Sequence, residues 1–196
     1  MNGVAILARA PLAIEDVSRD MPGFEDPQKR VIAATVGGVR FVNLYVVNGQ
    51  AVGSEKFEYK LRWLLALKDY IAGELAAHPR LAVVGDFNIA PADEDVHDPA
   101  AWLDSVLCSK PERAAFQELL GLGLQDTFRM FPQSPGTFTW WDYRQAGFRR
   151  NLGLRIDHVL ASAPLAAECR NCLVTLAPRR LEKPSDHAPV IAEFLP

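Results

Sequence analysis

The chain has 196 residues, 49% hydrophobic and 23% charged, with a net charge of -3. That is enough apolar material for one sizeable core, and the mild acidity excludes a broadly basic nucleic-acid coat while leaving room for a local basic face. No stretch reaches membrane-spanning length, no basic-then-apolar leader opens the chain, and three cysteines, a low and odd count, point to a reducing, cytoplasmic compartment.

Residues 4–7 form a short apolar run predicted as a strand, and residues 9–29 are polar, proline-punctuated and predicted as loop. Residues 31–36 and 39–47 are rich in β-branched side chains. Gly37-Gly38 lies between them, which predicts a β-hairpin. Ser54 can cap a helix in which Phe57, Leu61, Leu64, Leu65, Ile71 and Leu75 recur at helical spacing before Pro79. Residues 81–84 are apolar at successive positions, the pattern of a strand buried on both faces. A long acidic loop runs to Lys110, and residues 111–122 read as a second helix with Pro111 in its first turn. Residues 136–142 are aromatic and turn-like, while 154–161, 172–176 and 188–194 read as strands. Strands outnumber helices and come partly in hairpins, so the expected architecture is packed mixed sheets flanked by helices. No linker is visible, and residues 1–196 are expected to form a single domain.

Several polar residues sit where packing does not call for them. Gly85-Asp86-Phe87-Asn88 ends the most buried strand. Asp86 and Asn88, two apart, can face one pocket, and a carboxylate there needs a partner such as a metal, a water or a substrate. A turn or helix cap is the other reading of the same pair, and the commoner one for Asp and Asn taken alone. Ser185-Asp186-His187-Ala188-Pro189 sets an Asp-His pair before the last strand, in a chain with four histidines. Asp157 lies inside an apolar strand, where it can hold the imidazole of His187 or form a salt bridge with Arg155. Tyr45 and Asn48 can each hydrogen-bond a phosphate oxygen, or be a sheet tyrosine and an Asn-Gly turn. Cys169 and Cys172 make a lone CxxC without the second pair that a zinc site requires. From Trp140 to His187 eight basic residues face five acidic ones, so the last quarter is locally positive.

Taken in order, Tyr45-x-x-Asn48, Gly85-Asp86-x-Asn88, Leu154-Arg155-Ile156-Asp157 and Ser185-Asp186-His187-Ala188-Pro189 resemble the motifs of the exonuclease III (abasic endonuclease) branch of the endonuclease/exonuclease/phosphatase superfamily. Phe138-Thr139-Trp140-Trp141-Asp142-Tyr143 and the segment 49–60 are similar to that branch as well, and the resemblance spans Asn2 to Pro196. It implies a DNase I-like α/β sandwich of two mixed sheets with helices outside. It implies metal-dependent hydrolysis of DNA 5′ to abasic sites and removal of nucleotides from duplex 3′ ends, with Mg2+ or Mn2+ as the ion.

By the same resemblance Asp86 activates or holds the attacking water, Asn88 orients it, His187 meets the phosphate with Asp157 behind it, and Tyr45 and Asn48 position the phosphate. Asp86, Asn88, Asp186 and His187 are the implied metal ligands. Trp140, Leu154 and Ile156 would line a pocket for a base-less sugar, and Arg30 would touch the DNA backbone. Family members open with an Asn-containing strand and a later Gln-Glu pair whose Glu holds the metal; this chain begins after both, and Glu15 and Asp16 sit in the wrong loop to replace them. Weak metal binding, low turnover of this chain alone, an open sheet edge and self-association through that edge are therefore expected. Val47 stands where relatives have proline. The alternatives are a superfamily phosphatase acting on a small phosphate ester and a non-catalytic DNA-binding remnant.

Overall fold

The structure, a computed structural model, describes residues 3–195. The part of the family resemblance that falls on Met1, Asn2 and Pro196 lies outside the described residues. In chain order the strands are β1 (Ile14–Arg19), β2 (Val31–Val36), β3 (Val39–Tyr45), β4 (Leu81–Asp86), β5 (Leu124–Asp126), β6 (Trp140–Trp141), β7 (Gly153–Leu154), β8 (Asp157–Ser162), β9 (Cys169–Val174) and β10 (Val190–Phe194). The helices are α1 (Glu55–Ala77), α2 (Lys110–Gly121) and the short α3 (Ala163–Ala166).

Six strands form the main sheet in the order β1-β2-β3-β4-β8-β5. The predicted hairpin is β2-β3, with Val36 opposite Val39. Gly37 and Gly38 both take positive φ, 58° and 76°, the handedness that suits the strand twist. Strands β3 and β4 run parallel, so α1 is the crossover between them. It starts where the Ser54 side chain accepts from the Phe57 amide (3.2 Å) and stops at His78, just before Pro79. Trp63, Leu64, Leu67 and Ile71 of α1, with Phe116 and Leu119 of α2, cover one face of the sheet by packing on Val42, Leu44, Leu81, Val83 and Leu160. On the opposite face Ala82 and Ala161 meet Leu165, Ala166 and Phe194. The central strand β4 is thus buried on both sides, as its uninterrupted apolar run requires.

This is the expected sandwich, with two differences in its second layer and its first residues. The second layer is a two-stranded antiparallel pair, β10-β9, rather than a mixed sheet. Residues 4–7 are not a strand: Leu7 is 93% exposed, and the segment meets the sheet through a side-chain bond from Asn43 Nδ2 to the Ala5 carbonyl (2.7 Å). The stretch expected to be loop contains β1, which pairs with β2 as an edge strand. It gave no signal because IEDVSR has no buried residue and therefore no alternation. Its Glu15, Asp16 and Arg19 put charge on that edge, a common guard against further pairing. Within α1, Leu65 faces solvent, and Trp63 and Leu67 fill the core instead. Cys108, Cys169 and Cys172 are all free thiols, and burial raises each above its ordinary value.

Candidate active site

Strand register places the chemistry. Tyr45 pairs with Asp86 across β3 and β4, and Asp86 pairs with Asp157 across β4 and β8, so three adjacent strands present a phenol and two carboxylates in one row. Gly85 makes this possible, since a Cβ there would lie 2.0 Å from the Leu44 carbonyl oxygen. Beyond the strand ends the chain turns sharply at Asn88, whose φ is 49°.

The two residues predicted to share a pocket are bonded to each other. The Asn88 amide donates to Asp86 Oδ1 (2.8 Å) and Asn88 Nδ2 donates to Asp86 Oδ2 (3.0 Å) and to the Val46 carbonyl (3.0 Å). Asn48 Nδ2 donates to Asn88 Oδ1 (3.1 Å). Both amide protons of Asn88 are therefore spent on the protein, so this side chain orients Asp86 rather than a phosphate. Asn48 is exposed and keeps one amide proton free.

His187 lies opposite. Its Nδ1 donates to Asp157 at 2.9 and 3.1 Å. Asp157 does not pair with Arg155, which turns inward. The aromatic segment delivers His187 to this place: Trp140 bridges to it, the Trp141 amide donates to the Asp186 carbonyl (3.0 Å), and the Ala188 amide donates to the Thr139 carbonyl (2.7 Å). Thr139, fully buried and given no role by the sequence, accepts at Oγ1 from the amides of Ile156 (3.0 Å) and Asp157 (3.1 Å) and so fixes the base of the Asp-His pair.

Charge follows geometry. Burial, then the negative charge of Asp157, lifts Asp86 to about 7, against the pull of His187 and the Asn88 amide. Burial works against the charged form of His187, but the hydrogen bond and charge of Asp157 outweigh it, with help from Asp86 and Asp186, and raise it to about 9. At neutral pH the site thus holds an imidazolium beside a carboxylate that readily takes a proton.

Three expectations need correction. The four implied metal ligands are not assembled: Asp186 Oδ2 accepts from Trp140 Nε1 (3.0 Å), His187 Nδ1 is committed to Asp157, and among the described residues no group of three or more His, Cys, Asp or Glu is placed to hold a metal. Leu154 and Ile156 do not face a pocket, because they are fully buried with Ala90, Val96 and Leu107 beneath the partly buried Trp140. Arg30 is not free to touch a DNA backbone: it is 7% exposed, lies 4.9 Å over the Tyr45 ring, and pairs with Asp26 at 3.5 Å, so it acts on Tyr45 from behind. Of the eight basic residues in the last quarter, Arg155 and Arg179 likewise turn inward.

Arg155 belongs to a polar floor beneath the site. It pairs with Asp95 (2.6 Å) and Asp126 (2.8 Å) and donates to His158 Nδ1 (2.9 Å). Arg129 reaches the same Asp95. His158 Nε2 lies 3.0 Å from the Ile89 carbonyl, so the network assigns it the neutral tautomer with its proton on Nε2. Burial and the Arg155 charge depress it to about 3. A folded value below the ordinary 6.5 means that the unfolded chain binds the extra proton between those pH values, so stability is full above 6.5 and falls as pH drops toward 3. Unfolding in urea at about pH 4.5 should show a loss of roughly 2–3 kcal/mol from this group relative to neutral pH. His158→Gln should flatten the acid slope by that amount; an unchanged slope would show that His158 titrates normally.

An imidazolium poised beside a carboxylate near neutrality is suited to hydrolysing an anionic ester, and a DNase I-like sandwich carries it. The chain belongs to the endonuclease/exonuclease/phosphatase family, whose sequence profile matches residues 1–187, and within it to the exonuclease III branch. It is 38% identical to exodeoxyribonuclease III of Haemophilus influenzae over 205 aligned positions, covering 98% of this chain and 76% of that protein. Its fold superimposes on a Neisseria 3′ phosphatase solved with a product DNA hairpin (TM-score 0.91, 50% identity, 93% of this chain and 71% of the other). It also superimposes on an abasic endonuclease from Archaeoglobus fulgidus (TM-score 0.88, 36% identity, 93% and 71%). The family is one of metal-dependent enzymes. The donors at the strand ends, carboxylate and carboxamide oxygens around an under-compensated acid, fit a hard divalent cation in kind.

Proposed function

We propose that this protein is a DNA-repair nuclease that hydrolyses phosphoester bonds at the 3′ ends of duplex DNA. The observation that carries this reading is the pairing of His187 with Asp157 beside an Asp86 held near neutrality. In this reading the carboxylate form of Asp86, aimed by Asn88, takes a proton from the attacking water. The water oxygen bonds to phosphorus as the bond from phosphorus to the leaving oxygen breaks, and that oxygen leaves with the bonding pair and takes a proton from solvent. His187 donates from Nε2 to a non-bridging oxygen as charge builds there, with Asp157 keeping it charged. The free amide proton of Asn48 and the phenol of Tyr45 bind the same phosphate. Asp86 and Asn88 would hold Mg2+ or Mn2+, which when bound offsets the negative charge of the phosphate. Asp86 alone supplies an anionic oxygen among these two, so ion binding is weak. Arg144, Arg149, Arg150 and Lys183 are exposed on the flank of the aromatic segment and would meet the DNA backbone, which makes binding salt-dependent. Free thiols suit the cytoplasm.

The closed cluster of Trp140, Leu154 and Ile156 favours 3′ ends over internal abasic sites, because an extruded sugar would have to open it. The activity named for the Neisseria relative agrees. Initial rates on a recessed 3′ end, an internal abasic site and p-nitrophenyl phosphate test this. We expect the 3′ end to lead the abasic site by about tenfold or more, the size of a few lost apolar contacts. A preference for the small ester would replace the nuclease with a phosphatase.

A further inference from the structure

Lys60 of α1 has no contact with solvent and lies among apolar neighbours on the core face of its helix. Its ammonium has three protons and three acceptors: the Asn48 carbonyl (3.2 Å), the Asn88 carbonyl (2.7 Å) and Glu112 Oε1. Glu112, equally buried at the start of α2, is saturated in turn. Its Oε1 also accepts from the Leu107 amide (3.0 Å), and its Oε2 accepts from the Ser109 amide (3.1 Å) and hydroxyl. One cation therefore ties together the two loops that leave β3 and β4 and anchors both to α2.

We propose that Lys60 is a positioning residue for the reaction: it fixes the peptides of Asn48 and Asn88, and through them the carboxamide chain that aims Asp86. This rests on the nuclease reading above. The role follows from what the ammonium holds. Asn88 sits in the left-handed region, and its carbonyl, amide and side chain are all bonded, to Lys60, Asp86 and Asn48. Releasing the carbonyl lets the peptide rotate, and the side chain that holds Asp86 Oδ2 rotates with it. A buried ion pair that served packing alone would be replaceable by two apolar side chains with little loss. A strut that sets the carboxamide chain would not be.

The test separates these. Lys60→Met strands Glu112 and should be destabilised. The double variant Lys60→Met/Glu112→Leu removes both charges and should regain most of the unfolding midpoint. The strut predicts that both variants lose kcat on 3′-ended duplex by about 10- to 100-fold, the effect of slight misplacement of reacting groups, with KM within about threefold of the parent. It also predicts that the side-chain amide NMR signals of Asn48 and Asn88 move in both. A double variant that regains both midpoint and kcat overturns the proposal. If the unaltered chain hydrolyses no DNA, the nuclease reading fails and the amide signals decide: Asn48 and Asn88 signals left in place in the double variant overturn the strut, and shifted signals uphold it.

Discussion

Asp86→Asn should lower turnover on 3′-ended duplex by about 10³-fold while leaving the protein folded. General-base catalysis contributes about 10²- to 10⁴-fold, and an amide can neither take the proton nor supply an anionic oxygen to a cation. The fold should tolerate the change. Asp86 sits next to Asp157 in the register, and losing one of two neighbouring negative charges removes a repulsion. Against this, Asn88 offers two donors to the two Asp86 oxygens, and an asparagine accepts only one of them. One unmet donor costs about 1–3 kcal/mol, so the two effects oppose and the midpoint should move little. An independent readout accompanies the rate. The charge of Asp86 helps hold His187 high, so the His187 titration should shift downward in the variant. Retention of more than a tenth of the turnover, or an unmoved His187, would remove Asp86 from the role given to it.

Arg155→Met should be the most destabilising single change at the site's foundation. Arg155 is 1% exposed and serves Asp95, Asp126 and His158 together. Removing it leaves Asp95 with Arg129 and strands Asp126 in the interior. Breaking one side of a buried pair costs about 3–5 kcal/mol, a large part of the total stability of an ordinary domain. Urea unfolding should show that loss, and the variant should fail to accumulate in folded form when expressed warm. Adding Asp126→Asn should recover part of it, because the stranded charge is gone. A loss under about 1 kcal/mol would mean that the carboxylates find water instead.

The sequence made some of this legible and hid the rest for physical reasons. The β2-β3 hairpin, α1 and β4 announce themselves through period, caps and glycines, because each is specified locally. The β1 strand is held by backbone pairing at an exposed edge, so its side chains carry no pattern. Asp86 and Asp157 stood out because a carboxylate in an apolar strand needs a reason, and His187 because an Asp-His pair stands just before the last strand. The alignment of Tyr45, Asp86 and Asp157 across three strands is a matter of register, which no linear pattern displays. Lys60 could have been found: it is the one charged residue among Phe57, Trp63, Leu64, Leu67 and Ile71 on the buried face of α1. Thr139 could not, since a threonine in an aromatic, turn-like run carries no sign of the two amides that its hydroxyl accepts. Arg30, Leu154 and Ile156 were placed by family resemblance at the substrate, and burial moves them behind it.

The most direct test is the time course of a duplex with one labelled strand and a recessed 3′ end, incubated with the folded chain in Mg2+ or Mn2+ and in a chelator. We expect slow, stepwise shortening from the 3′ end that requires the ion and disappears with Asp86→Asn. DNA left intact by the folded chain with either ion, or cut equally well in the chelator, would contradict it.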